Sequence, residues 1–193
     1  MSSTADLALF PLNTVLFPGG PLSLRIFEPR YTDMVGRCTR AGSAFGVVLI
    51  LTGAEVGAVA ETAVTGTSAR IVDFYTMPDG LLGITCIGER KFRVTKCWRQ
   101  SDGLHLAQVE WLPPEAALEL AEEYRHLGEL LRKVLPELGD VYAAVAKHYG
   151  DASWVGCRLA EILPISLTEK LELLELDDPL ARLAKLSPVI RRG

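Results

Sequence analysis

The hydrophobic period changes once along this chain, at Pro113-Pro114. Upstream, short apolar runs alternate with polar residues between turn signals. Leu22, Leu24 and Ile26 alternate with Ser23, Arg25 and Phe27, and Ala107, Val109 and Trp111 with Gln108 and Glu110. Alternation of this kind reads as strands with one buried face. Downstream, Ala117, Leu120, Ala121, Tyr124, Leu127, Leu131, Val134 and Leu135 recur at helical spacing. One switch of period predicts an α+β fold, with a β-rich subdomain over 1–113 and a helical bundle over 114–193.

Upstream of the switch a single helix is expected, over 29–41. Glu28 is biased to extended backbone by Pro29, which itself suits a first helical turn. Tyr31, Met34, Val35 and Cys38 then form one apolar face, and Gly42 suits the end. Strands are expected over 45–51, 66–75, 81–87 and 90–98. A turn is expected at 52–55, and 56–65 shows no clear pattern. Met77-Pro78-Asp79-Gly80, Gly88-Glu89 and Ser101-Asp102-Gly103 are the expected turns between the later strands. In the 90–98 strand, Phe92, Val94 and Trp98 are assigned inward, and Lys91, Arg93 and Thr95 outward. Frequent strands with hairpin turns predict a barrel or a strongly curved sheet. Downstream, a helix running to Pro136 should be followed by helices at 140–149, 152–163, 167–176 and 179–186.

Composition excludes several classes of function. The chain has 193 residues, 49% hydrophobic and 23% charged, which is globular composition. No apolar run approaches the roughly 18–20 residues of a membrane span, and the N-terminus lacks the pattern of a signal peptide. Cys38, Cys86, Cys97 and Cys157 have no CxxC spacing and read as reduced cysteines of a cytoplasmic protein. Residues 1–113 carry ten basic and ten acidic side chains, and residues 114–193 ten and fourteen. Neither half offers the net positive charge a polyphosphate partner needs. The one basic run is Arg90, Lys91, Arg93, Lys96 and Arg99, read as a solvated strand face. His105, His126 and His148 are dispersed and suit no metal site. There is no GxxxxGK[ST] phosphate loop and no SxxK or GxSxG nucleophile motif. No catalytic residue, cofactor or metal is therefore assigned.

Two long words near the start carry a resemblance. Phe10-Pro-Leu-Asn-Thr-Val-Leu-Phe-Pro18 and Arg25-Ile-Phe-Glu-Pro-Arg-Tyr31 resemble the opening of the N-terminal substrate-recognition domain of Lon (La-type) ATP-dependent proteases. Further words, such as Gly66-Thr-Ser-Ala-Arg-Ile-Val-Asp-Phe74 and Gly88-Glu-Arg-Lys-Phe-Arg-Val94, extend it along the chain. The resemblance implies a PUA-like pseudo-barrel followed by helices, without the ATPase and the Ser–Lys peptidase that follow this domain in full-length Lon. It also implies a non-enzymatic binding role, with polypeptide as partner, in quality control or as an adaptor. The two competing readings are an RNA-binding module and a small-molecule hydrolase with an unrecognised site. Arg25, Phe27, Glu28 and Arg30 are the candidate contact residues. Their charges are assigned first to an ion pair or cap that locks the 29–41 helix, and second to contact with a bound chain.

Overall fold

The structure is a computed structural model that describes residues 4–53, 59–143 and 145–190. Among these, six strands form one mixed sheet: β1 (Thr4–Leu12), β2 (Pro21–Ile26), β3 (Phe45–Gly53), β4 (Val59–Thr76), β5 (Leu82–Arg99) and β6 (His105–Trp111). Their order is β2-β5-β4-β3-β1-β6. An additional β5–β6 pairing curls the sheet into a ring of β1, β3, β4, β5 and β6. β1 and β3 are parallel, and every other pair is antiparallel. The long strand β5 has two jobs. Its first half pairs with β2 from Leu82 to Ile87, its second with β6 from Phe92 to Arg99.

Helix α1 (Pro29–Ala41) has the predicted bounds. Glu28 is extended, and its carbonyl accepts from the N–H groups of Tyr31 and Thr32. Gly42 ends the helix in the left-handed region at φ 60°. Tyr31, Met34, Val35 and Cys38 pack into one core with Phe10, Leu24, Ile26, Ile84 and Cys86. Leu7, Leu9, Val48, Phe92, Ala107 and Val109 form a second core on the opposite face of β1. A third core lies among the helices α2 (Arg125–Val134), α3 (Ala152–Ile162), α4 (Leu167–Glu175) and α5 (Pro179–Ile190). Val15 and Phe17, from the loop after β1, reach into it. α3 is its centre, capped by Asp151, whose side chain accepts from the Trp154 N–H. α4 begins with a Ser166–Glu169 capping box. No helix among the described residues is long and apolar enough to cross a membrane.

The hairpin turns at 77–80 and 101–103 form as expected. Met77 N–H donates to Leu81 C=O, Gln100 N–H to Leu104 C=O, and Gly80 and Gly103 have positive φ. Four expectations are corrected. Gly88-Glu89 is not a turn: β5 runs straight through it. Gly88 N–H bonds to Gly20 C=O, Gly19 N–H to Gly88 C=O, and a Cβ on Gly88 would lie 2.3 Å from the Phe17 carbonyl oxygen. The glycine serves close backbone approach instead of reversal. The helix expected from Ala117 begins only at the 3-10 turn Glu122–Tyr124. Residues 112–121 are not helical: Leu120 N–H donates to Gly150 C=O and Ala152 N–H to Leu118 C=O, so these backbone groups bond across the chain around a Glu119–Asp151 bridge. The helix expected over 140–149 is only a 3-10 turn at Asp140–Tyr142, followed by irregular chain. Lys91 is buried, as described below. In addition, β4 starts at Val59, inside the stretch without clear pattern, and α5 continues to Ile190. The turn expected at 52–55 lies partly outside the described residues.

Candidate functional site

The first candidate is a cleft of about 340 Å³ between the end of β1 and β2. β1 contributes Phe10 and Leu12; β2 contributes Leu22, Ser23, Leu24 and Arg25; Tyr31 comes from α1. Phe10 and Tyr31 stack with ring centres 3.9 Å apart. Phe27 stands at the cleft, 52% exposed. Burying such a side chain stabilises by roughly 1.5–3 kcal/mol; Phe74 and Tyr75 on β4 are also exposed, and Phe27 is the exposed aromatic that lines this cleft.

The four residues singled out in the sequence divide here. Glu28 and Arg30 form an ion pair at 2.7 Å, with Arg30 only 8% exposed. Arg30 Nη1 also donates to Gly103 C=O at 3.1 Å, and its guanidinium lies 4.8 Å from the Tyr31 ring centre. Together these contacts tie the start of α1 to the 101–103 turn. Arg25 does not join them. It pairs with Asp79 at 2.6 Å, with both side chains well exposed, linking β2 to the 77–80 turn. Phe27 is the exposed apolar member. Of the two charged lining residues, Arg25 and Glu28, each already has an opposite partner.

A second region lies at the seam between β5 and the helices, the junction that sequence reading favours for binding without assigning a residue to it. Alternation assigns Lys91 outward, yet it is 4% exposed. Its Nζ reaches Glu115 at 3.1 Å and Asp177 at 2.9 Å, and donates to the carbonyls of Leu174 and Leu176. Glu115 is gripped bidentately by the buried Arg182, at 2.6 and 2.8 Å, and accepts from Ser153 Oγ. Burial alone would raise the Glu115 carboxyl. Hydrogen bonds from Arg182 and Ser153, with the charges of Arg182 and Lys91, hold it below the usual range instead. Clefts of about 190 and 340 Å³ flank Glu115, sharing Pro18 and Ser153. The one available signal is Glu115 directly after Pro113-Pro114, where the spacing predicts a helix.

A third cluster sits under the loop that leads to β2. Arg158 is fully buried; its Nη2 donates to Pro18 C=O at 2.9 Å and pairs with Glu161 at 2.7 Å. A Cβ on Gly20 would come within 1.8 Å of Glu161 Oε1, so a side chain there would displace the Arg158–Glu161 pair. Burial pushes the Glu161 carboxyl up to about 7, against the opposing effects of the Arg158 charge and hydrogen bond and of Tyr142.

The remaining candidates are dispersed. His105 is pushed down by burial and by the Arg99 and Arg30 charges, and His148 packs edge-on against Trp154. Among the described residues no three His, Cys, Asp or Glu side chains converge as metal ligands. The basic run is split: Lys91 points inward, Arg90 covers the Trp111 ring, and Arg93 sits opposite Glu110.

The family model of the ATP-dependent protease La (LON) substrate-binding domain matches residues 6–192. The chain belongs to this family. A crystal structure of a Lon N-terminal domain protein from Xanthomonas campestris is similar to this LON domain at 40% identity and TM-score 0.78, over 95% of this chain and 98% of that one. The N-terminal domain of a Mycobacterium avium complex Lon protease, 17% identical with TM-score 0.65, covers 96% of this chain and 97% of its own, and shares the fold. Lon protease 2 of Herpetosiphon aurantiacus is 27% identical over 201 residues, 98% of this chain and 24% of that protein. This LON domain thus spans about a quarter of that relative's length. Its family is that of a substrate-binding domain.

Proposed function

We propose that this domain binds exposed apolar segments of polypeptide in the cleft between β1 and β2. The observation that carries this reading is Phe27, a half-exposed aromatic beside an apolar cleft whose two charged lining residues are already paired. Membership of a substrate-binding family whose relatives are named proteases supports polypeptide as the substrate. Arg25 and Phe27 then contact the bound chain, while Glu28 and Arg30 hold α1 behind it. Residues 1–113 act as a barrel that carries the cleft, and residues 114–193 as a helical bundle that braces it. The domain is a binding module and not a catalyst, acting in the cytoplasm in protein quality control or as an adaptor.

Titration with destabilised client proteins and peptide arrays tests this, beside structured and single-stranded RNA. Binding should be saturable, modest and roughly micromolar, because a flexible segment is ordered on binding. It should depend weakly on salt, since the charges of the lining are paired. Phe27→Ser should weaken it without unfolding the protein. Tight, steeply salt-dependent RNA binding with no peptide binding would replace this reading by the RNA-binding one.

A further inference from the structure

The cleft lies along the edge strand β2. β6 fills the space between β1 and β5 at one end of the ring, but its pairing with β1 stops at Leu9, opposite His105. Beyond Leu9, residues Phe10, Pro11 and Leu12 of β1 pair only with β3. β2 flanks the other half of β5, beyond the Trp111 end of β6, and has β5 as its one strand partner among the described residues. The edge of β2 away from β5 therefore carries no strand among the described residues.

The lining of the cleft agrees with an edge and not with a face. Leu22, Ser23, Leu24 and Arg25 all line it. Successive strand side chains point to opposite sides, so a cleft touched by four in a row runs along the strand's backbone edge. A free edge presents alternate N–H and C=O groups that a second strand can satisfy. With the lining charges neutralised in pairs, the complementary partner is an uncharged, extended segment.

We propose that polypeptide binds this domain as an added β-strand, seated in the cleft and hydrogen-bonded to the free edge of β2. This rests on the reading above that the cleft takes polypeptide. β2 offers six residues of edge, and antiparallel pairing is the more stable. The segment therefore runs antiparallel to β2. Alternate apolar side chains enter beside Leu24 and Tyr31. The backbone carries affinity and the side chains set only a preference, which gives tolerance of sequence within a requirement for alternation.

The test uses the whole chain and three end-blocked probes. One peptide alternates valine and threonine between polar solubilising residues, one has the same residues scrambled, and one is N-methylated at every second residue. Affinities are measured for wild type and Phe27→Ser, and amide hydrogen exchange is followed across β2. The alternating peptide should bind, slow exchange at residues 22–25, and lose roughly tenfold or more in affinity on N-methylation. If it binds in a Phe27-dependent way but N-methylation changes affinity less than about twofold, the cleft stands and strand addition is wrong. If the peptides bind without regard to Phe27 and without protecting β2, or do not bind at all, the cleft reading itself fails.

Discussion

The gap between β1 and β2 and the seam around Glu115 are both places where the sheet leaves a side uncovered, and they are completed in opposite ways. The gap has an apolar lining, with its charges paired at the rim and one strand edge left free. The seam draws Lys91, Glu115 and Arg182 inward and surrounds them with backbone carbonyls and Ser153. Buried charges demand one fixed arrangement, because any displacement leaves a charge unsatisfied. An apolar cleft with a free edge makes no such demand and accepts different guests. Chemistry and not volume separates a lock from a receptacle, since one cleft beside Glu115 has the same volume as the gap.

The largest expected effect breaks the lock. Glu115→Ala strands Lys91 and Arg182 inside the seam and should lower stability by about 3–5 kcal/mol in chemical denaturation. A loss below about 1 kcal/mol would mean that Asp177 and the carbonyls suffice, and that the seam resembles a surface pair.

Next comes pH, where two carboxyls have opposite signs. Glu161 is raised from 4.5 to about 7 in the folded protein. Between those values the folded state binds more protons than the unfolded, so stability falls as pH rises through the interval and levels off above it. The span corresponds to at most roughly 3 kcal/mol, and Glu161→Gln should flatten it. Glu115 is depressed, so its stabilisation is present above about 4.5 and is lost as pH falls below. Stability profiles of the two variants that have the same shape would contradict this assignment.

A smaller effect is expected behind the gap. Glu28→Ala removes the partner of Arg30 and should cost about 1–2 kcal/mol, read as a lower thermal midpoint. Unchanged stability with lost peptide binding would transfer Glu28 from support to contact. The smallest effects belong to the rim. Arg25→Ala and Phe27→Ser should each move stability by less than about 0.5 kcal/mol, and only peptide titration should register the second. A Phe27→Ser protein that melts well below wild type would show that this aromatic belongs to the core, which would end the contrast between the two regions.

What is local in this protein is legible in its residues. The alternation of β2 and β6, the glycine turns at 80 and 103, the Pro29 start and Gly42 end of α1, and the spans of α3 and α4 all follow from neighbouring residues acting on one another. The words around Phe10–Pro18 and Arg25–Tyr31 also carry the family. The Glu28–Arg30 pair is within reach of sequence reasoning, because both ends lie in one turn.

What depends on distant partners emerges only when the chain is assembled. Residues 117–121 have a helical pattern but form no helix, since 118–120 and 150–152 exchange backbone bonds across the fold and Glu115 is held by Arg182 from a distant helix. Lys91 sits in an alternating strand whose outward side is covered by the α4–α5 connection, so alternation alone puts it in water. Arg25 finds Asp79 on a different hairpin instead of its neighbours. The cleft itself has no sequence signature. It exists because β2, paired with β5, packs beside the end of β1 and the start of α1, and local periodicity carries no information about which strand will be a neighbour.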